Sequence, residues 1–253
     1  MEFRSLPLIM PTYLNDVKIK DIPDSAFYIS EFITLEEEQI LLNKIQTAPK
    51  PRWKQLSNRR LQSWPSELSK NNALLGTPMP AWLINPCITR ITSCPISKAQ
   101  PQSHIFSDSP HKAPNHCLIN EYLPTQGIMP HKDGSAYHPV VCTVSLGSAL
   151  CLDLYGTNED GTREIYPRWK ILQEPRSLLI TIERLYTDYL HGIADISDDK
   201  DLGPVTVSNW ELLRRPEDFQ NGHNERKSRV SLTYRDVLKV SKLGGQLGMF
   251  GKR

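Results

Sequence analysis

Residues 229–237 read RVSLTYRDV, and they alternate in chemistry from one position to the next. In an extended strand successive side chains point to opposite faces. Val230, Leu232 and Tyr234 therefore share one face, and Arg229, Ser231, Thr233 and Arg235 share the other. An apolar face of this kind packs on a core. Two arginines on an interior face need anions, because a buried unpaired charge costs several kcal/mol. A dicarboxylate would match the forked guanidinium geometry. Acidic residues of the chain, or an edge strand open to water, would satisfy the arginines equally well.

The second half of the chain repeats this strand character. NHCLINEYL (115–123), VVCTVSLG (140–147), ALCLDLYG (149–156), EIYPRWKIL (164–172) and RSLLITIER (176–184) are short, rich in β-branched or aromatic residues, and separated by turn formers. Together with RVSLTYRDVL (229–238) they make six strands without intervening helices, the pattern of an antiparallel sandwich or barrel. The first half is different. FITLEEEQILLNKIQ (32–46) is a helix: Thr34 and Glu37 form a capping box, and Leu35, Ile40, Leu41, Leu42 and Ile45 crowd onto one face. A shorter helix around PAWLINPCITRI (80–91) should kink or end at Pro86. Residues 1–26 lack periodicity and are expected as an N-terminal extension. Residues 27–253 are expected as one mainly β domain with α elements, a helical N-terminal cover lying over a β core. Residues 95–114 read as a loop, and 196–228 as a polar insertion with a short helical turn at WELL (210–213).

Bulk properties bound the partners. The chain has 253 residues, enough for a full core, and a net charge of +2 that names no partner by itself. Five cysteines without a C-x-x-C pair fit reduced thiols, so a protein of the cytoplasm and nucleus is expected. The apolar runs are strand-sized, so no membrane association is expected. A monomer is expected, and no protein partner is identified.

GIMPHKDGSAYHPVV (127–141) carries the metal-capable side chains. In an extended H-x-D, His131 and Asp133 lie on one face and can reach one ion. A distant histidine would complete a two-histidine, one-carboxylate set, which suits non-haem Fe(II) and leaves coordination positions open. His104, His111 and His223 lie in polar loops, and His116 has no positional support. His191, in DYLHGIADI (188–196), follows a β-rich run and precedes a glycine, which makes it the best candidate. An H-x-D pair also arises by chance, and a histidine at a strand end is often only a hydrogen-bonded surface residue. His138, before Pro139, reads as a turn residue and not as a ligand.

NEYLPTQGIMPHKD (120–133), LHGI (190–193) and RVSLTYR (229–235) resemble, in order, the signature of the AlkB-type Fe(II)/2-oxoglutarate dioxygenases. The similarity extends through LLNKIQTAPKPRWKQLSNRRLQSW (41–64), HPVVCTVSLGS (138–148), LDLYG (152–156), EPRSLL (174–179) and the tail GGQLGMFGK (244–252), and looks like the sixth AlkB homologue subfamily. The resemblance implies a double-stranded β-helix, or jelly roll. It implies Fe(II) ligands at His131, Asp133 and His191, with O2 and 2-oxoglutarate as co-substrates. Asn120, Tyr122 and Arg229 would contact 2-oxoglutarate, with Arg229 on its distal carboxylate. Ser231, where many relatives have asparagine, and Arg235 would lie near the keto-acid end. The implied chemistry is oxidative decarboxylation to succinate and CO2, coupled to hydroxylation of a substrate C–H bond. On an N-methyl carbon the product loses formaldehyde.

The substrate is less legible. Residues 47–65, TAPKPRWKQLSNRRLQSWP, contain Lys50, Arg52, Lys54, Arg59 and Arg60 with no acid, plus Trp53 and Trp64. Cations beside a stacking ring are the ingredients of single-strand binding. In AlkB relatives the corresponding region is a nucleotide-recognition lid; a solvated basic loop with its tryptophans packed in the core is the competing reading. Several base-repair relatives carry a carboxylate two residues after the metal aspartate, where this chain has Ser135. Tyr137 could stack on a substrate or simply pack. Demethylation of RNA or single-stranded DNA leads. Hydroxylation or demethylation of a protein or small molecule is the alternative, followed by a non-catalytic nucleic-acid-binding relative.

Overall fold

The computed structural model describes residues 10–22 and 26–241. The similarity over 244–252, like most of the basic tail, lies outside the described residues. Fifteen strands follow in chain order: β1 (Ala26–Ile29), β2 (Lys54–Leu56), β3 (Arg59–Trp64), β4 (Ala73–Leu75) and β5 (His116–Tyr122). Then come β6 (Ile128–His131), β7 (Val140–Leu146), β8 (Leu150–Tyr155), β9 (Trp169–Gln173) and β10 (Leu178–Ile182). β11 (Leu190–Ile193), β12 (Asp198–Lys200), β13 (His223–Glu225), β14 (Arg229–Arg235) and β15 (Lys239–Ser241) complete the set.

A seven-stranded sheet in the order β1-β10-β7-β14-β5-β3-β2 faces a four-stranded sheet in the order β6-β11-β8-β9. All pairings within both sheets are antiparallel. β14 sits at the centre of the larger sheet, hydrogen-bonded to β5 and to β7. Its alternation is used on both sides. Val230, Leu232 and Tyr234 are buried with Ile119 and Val144 against helical residues Leu41, Ile45, Leu83 and Ile91. Arg229, Ser231, Thr233 and Arg235 face inward, towards the smaller sheet.

The helical cover is built as the capping chemistry requires. Helix α1 (Leu35–Gln46) starts at Thr34, whose Oγ1 accepts from Glu37 N while the Glu37 carboxylate accepts from Thr34 N. Leu41 and Ile45 are buried, whereas Leu35 and Ile40 are exposed. Near Pro86 the helical path is interrupted at Asn85, whose φ/ψ is −106°/127°, in keeping with the expected kink.

Several expectations change. The strand expected over 164–172 begins only at Trp169, because Pro167 cannot donate to a ladder. Residues 54–64 form the hairpin β2–β3, extending the large sheet beyond β5. The segment 196–228 is not simply polar: β12 pairs with β13, and Leu202, Val207, Leu213 and Phe219 are buried against the outer side of the smaller sheet with Cys151 and Leu172. Its expected helical turn is a 3-10 turn at Trp210–Leu212. The stretch before residue 27 contributes Leu14, Ile19 and Ile22 to the cores.

Candidate metal and co-substrate centre

A cavity of about 250 Å³ opens between the two sheets. Its floor is a row of side chains set by strand register. Leu118, Thr233, Thr143 and Leu179 lie side by side on β5, β14, β7 and β10, with Asn120, Ser231 and Ser145 in the adjacent row.

The opposite wall comes from β6 and β11. His131 and His191 are paired residues on these antiparallel strands, and their ring centroids lie 4.4 Å apart. Asp133 follows just beyond the end of β6, so the extended H-x-D geometry holds for one residue of strand and then continues into a loop. One donor atom from each of His131, Asp133 and His191 lies within 4.8 Å of the other two. Gly192 makes the close pairing possible: a Cβ there would meet Pro130 Cγ at 2.9 Å and Pro130 Cα at 3.0 Å. The glycine after His191 thus serves a close approach between strands.

Neighbouring groups prepare these donors. His131 Nδ1 donates to Met129 O at 2.8 Å, which leaves Nε2 with its lone pair for a metal. Burial lowers His191 to about 4, with His131 and Arg235 adding to the effect against Asp133, so its ring is neutral at pH 7 and can act as a ligand. Arg235 Nη2 donates to Asp133 Oδ1 at 2.7 Å. Two imidazoles and a carboxylate converging on one point, with His131 and Asp133 each held by a second group, fit a divalent iron.

The anion end lies deeper. Arg229 is 2 % exposed, and its Nη2 donates to Ser145 Oγ at 2.8 Å and to Gln173 Oε1 at 3.1 Å. Both partners are neutral, and Nε has no partner among the described residues. Burial lowers the guanidinium to about 10, which still leaves it charged at pH 7. A buried cation with no carboxylate partner among the described residues, opening onto a cavity, is the complement of an anionic ligand. Tyr122 and Asn120 stand beside it on β5, and Ser231 also lines the cavity. Sequence reasoning missed Gln173 and Ser145, because a lone polar residue in an apolar strand carries no pattern. It also missed Tyr186, whose hydroxyl donates to Gly134 O at 2.5 Å and anchors the loop after Asp133.

The expected substrate residues divide. Arg59 and Tyr137 line the cavity. Lys50 and Arg52 are exposed and stand outside the cavity wall; Arg52 stacks over Trp64 at 4.2 Å and donates to Pro65 O. Trp53 is partly buried against the core and carries the Arg60 guanidinium on its ring at 4.0 Å, so it is not a free stacking platform. Ser135 is exposed and is not among the residues that line the cavity. His138 likewise stays outside the donor cluster.

An antiparallel β-sandwich enclosing a two-histidine, one-carboxylate cluster and a buried arginine defines a class, the jelly-roll metal-dependent oxygenases. The model described as the 2OG-Fe(II) oxygenase superfamily matches residues 27–235, and the chain belongs to that family. It is 35 % identical over 237 residues to a Danio rerio protein named "Probable RNA/DNA demethylase ALKBH6", covering 91 % of this chain and 93 % of the relative. A Xenopus tropicalis tRNA (carboxymethyluridine(34)-5-O)-methyltransferase alkbh8 is 24 % identical over 92 % of this chain and 35 % of its own length. Among solved structures, OsALKBH1 matches with a TM-score of 0.51 at 14 % identity, covering 86 % of this chain and 99 % of that one. A Pseudomonas putida prolyl-4-hydroxylase matches with a TM-score of 0.50 at 10 % identity, over 88 % and 98 %. These two show the fold.

Proposed function

We propose that this protein uses Fe(II), 2-oxoglutarate and O2 to demethylate a nucleic acid by oxidation. One observation carries the co-substrate reading: Arg229, buried and without a carboxylate, shares a cavity with the His131–Asp133–His191 donors. His131, Asp133 and His191 would hold the iron. Arg229, kept in place by Ser145 and Gln173, would bind the distal carboxylate of 2-oxoglutarate through a charge-assisted fork. Asn120, Tyr122 and Ser231 offer neutral hydrogen-bonding groups along the same wall. Arg235 holds Asp133 Oδ1 and leaves its other oxygen for the metal. When bound, iron would couple oxidative decarboxylation of 2-oxoglutarate to oxygen insertion into a substrate C–H bond, which on an N-methyl group ends in loss of formaldehyde.

The nucleic-acid assignment is supported by the name of the 35 % identical relative and by the basic hairpin whose Arg59 lines the cavity. Arg59 and Tyr137 are the hairpin and loop residues that reach inward. The iron-loaded protein, incubated with cellular RNA, DNA and protein, should remove methyl groups from nucleic acid, read by mass spectrometry. Its affinity for single-stranded oligonucleotides should fall with rising salt. Oxygen gained on a polypeptide, with oligonucleotide binding absent or insensitive to salt, would overturn the substrate assignment.

A further inference from the structure

The hairpin β2–β3 reaches the co-substrate wall through one side chain. Arg59 opens β3 and is half-buried, and its Nε donates to Asn120 Oδ1 at 3.1 Å. An arginine carries only donors, so the end of the Asn120 amide that meets it must be the oxygen. Nδ2 is thereby turned away from Arg59, and it has no acceptor among the described residues, while Asn120 itself lines the cavity. The main chain reinforces this placement, because Leu61 on β3 is paired with Asn120 on β5. The same tip is tied down a second time. Asn58, in its turn, donates from Nδ2 to Asp195 Oδ2 at 2.9 Å, just beyond the strand that carries His191. The hairpin tip therefore touches both the co-substrate wall and the segment just beyond the metal wall.

We infer that Arg59 is a positioning residue: it orients the Asn120 amide to donate to 2-oxoglutarate, and so makes co-substrate affinity depend on the seating of the hairpin. This rests on the cavity being the 2-oxoglutarate site. A substrate that shifts the hairpin then changes co-substrate affinity, and the reverse coupling is equal.

The test is calorimetric titration of 2-oxoglutarate into the Fe(II)-loaded protein without oxygen, alongside steady-state kinetics. Arg59→Ala should weaken binding about tenfold and raise KM for 2-oxoglutarate more than it lowers kcat. Arg59→Lys, which keeps a charged donor group, should recover most of the loss. On an Asn120→Ala background, Arg59→Ala should add little further. Additive losses would overturn the inference, since they mean that Arg59 acts on the co-substrate directly. Unchanged binding in Arg59→Ala would overturn it too. Should Arg59→Ala fail to fold, Asn58→Ala releases only the tip; it should weaken 2-oxoglutarate binding in the same direction, and an unchanged affinity would reject the coupling. A wild-type protein that does not bind 2-oxoglutarate would sink the reading of the cavity itself.

Discussion

Arg235 Nη2 lies 2.7 Å from Asp133 Oδ1, and both side chains are less than a tenth exposed. The pair joins the central strand of the large sheet to the loop that follows β6. Groups that hold a metal ligand in place are typically worth about 10–100-fold in metal affinity. Arg235→Met should weaken divalent-metal binding by that order, measured by competition with a chelating dye. Unchanged affinity would show that Asp133 is held by its backbone alone.

Arg229 makes a prediction of opposite sign for stability and for binding. In the ligand-free protein it is a buried charge whose hydrogen-bond partners among the described residues, Ser145 and Gln173, are neutral. Replacing a poorly compensated buried charge by an apolar side chain is often stabilising, by about 1–4 kcal/mol. Arg229→Met should therefore raise the denaturation midpoint of the ligand-free protein while abolishing the further rise on adding 2-oxoglutarate. A lowered midpoint that 2-oxoglutarate still raises would contradict both halves.

Gly192→Ala tests the pairing of the two histidine strands. The added methyl meets Pro130 backbone and ring atoms at 2.9–3.0 Å, so β11 and β6 must separate. Overpacking of this kind costs about 1–3 kcal/mol. Urea unfolding should show that loss, and metal affinity should fall with it as His191 moves from His131.

His116 predicts a pH effect. Burial, helped by the Arg235 guanidinium, lowers it to about 4 from an ordinary value of 6.5. Between these values the unfolded chain takes up a proton that the folded protein does not, so stability falls as pH drops from 6.5 to 4. His191 contributes in the same window in the metal-free protein. His116→Phe should flatten the metal-free stability profile there, by roughly 3 kcal/mol at the acid end. A profile that keeps its slope would place the acid sensitivity elsewhere.

Much of the fold was legible because period-two and capping signals are local. The alternation in 229–235 correctly separated a helix-packed face from a cavity face, and Thr34 with Glu37 marked the start of α1. The hairpin at 54–64 was obscured by its charges and by the flanking Pro51 and Pro65; its strand character rests on pairing with β5, a partner some sixty residues away in the chain. The buried residues of 196–228 follow no period, since they project from 3-10 turns and loops. In the site, ligand-type residues could be chosen by chemistry and order. Their supports, Gln173, Ser145 and Arg59, act through contacts between strands that no local pattern encodes.

The central claim is that one cavity holds iron on His131, Asp133 and His191 and 2-oxoglutarate on Arg229. It is tested most directly by succinate formation from 2-oxoglutarate by the purified protein under air, with and without added Fe(II). Fe(II)-dependent succinate should form, should be abolished in His131→Ala, and should be restored in Arg229→Ala only by large excesses of 2-oxoglutarate. Succinate formed at the wild-type rate by His131→Ala, or none formed by the iron-loaded wild type, would contradict it.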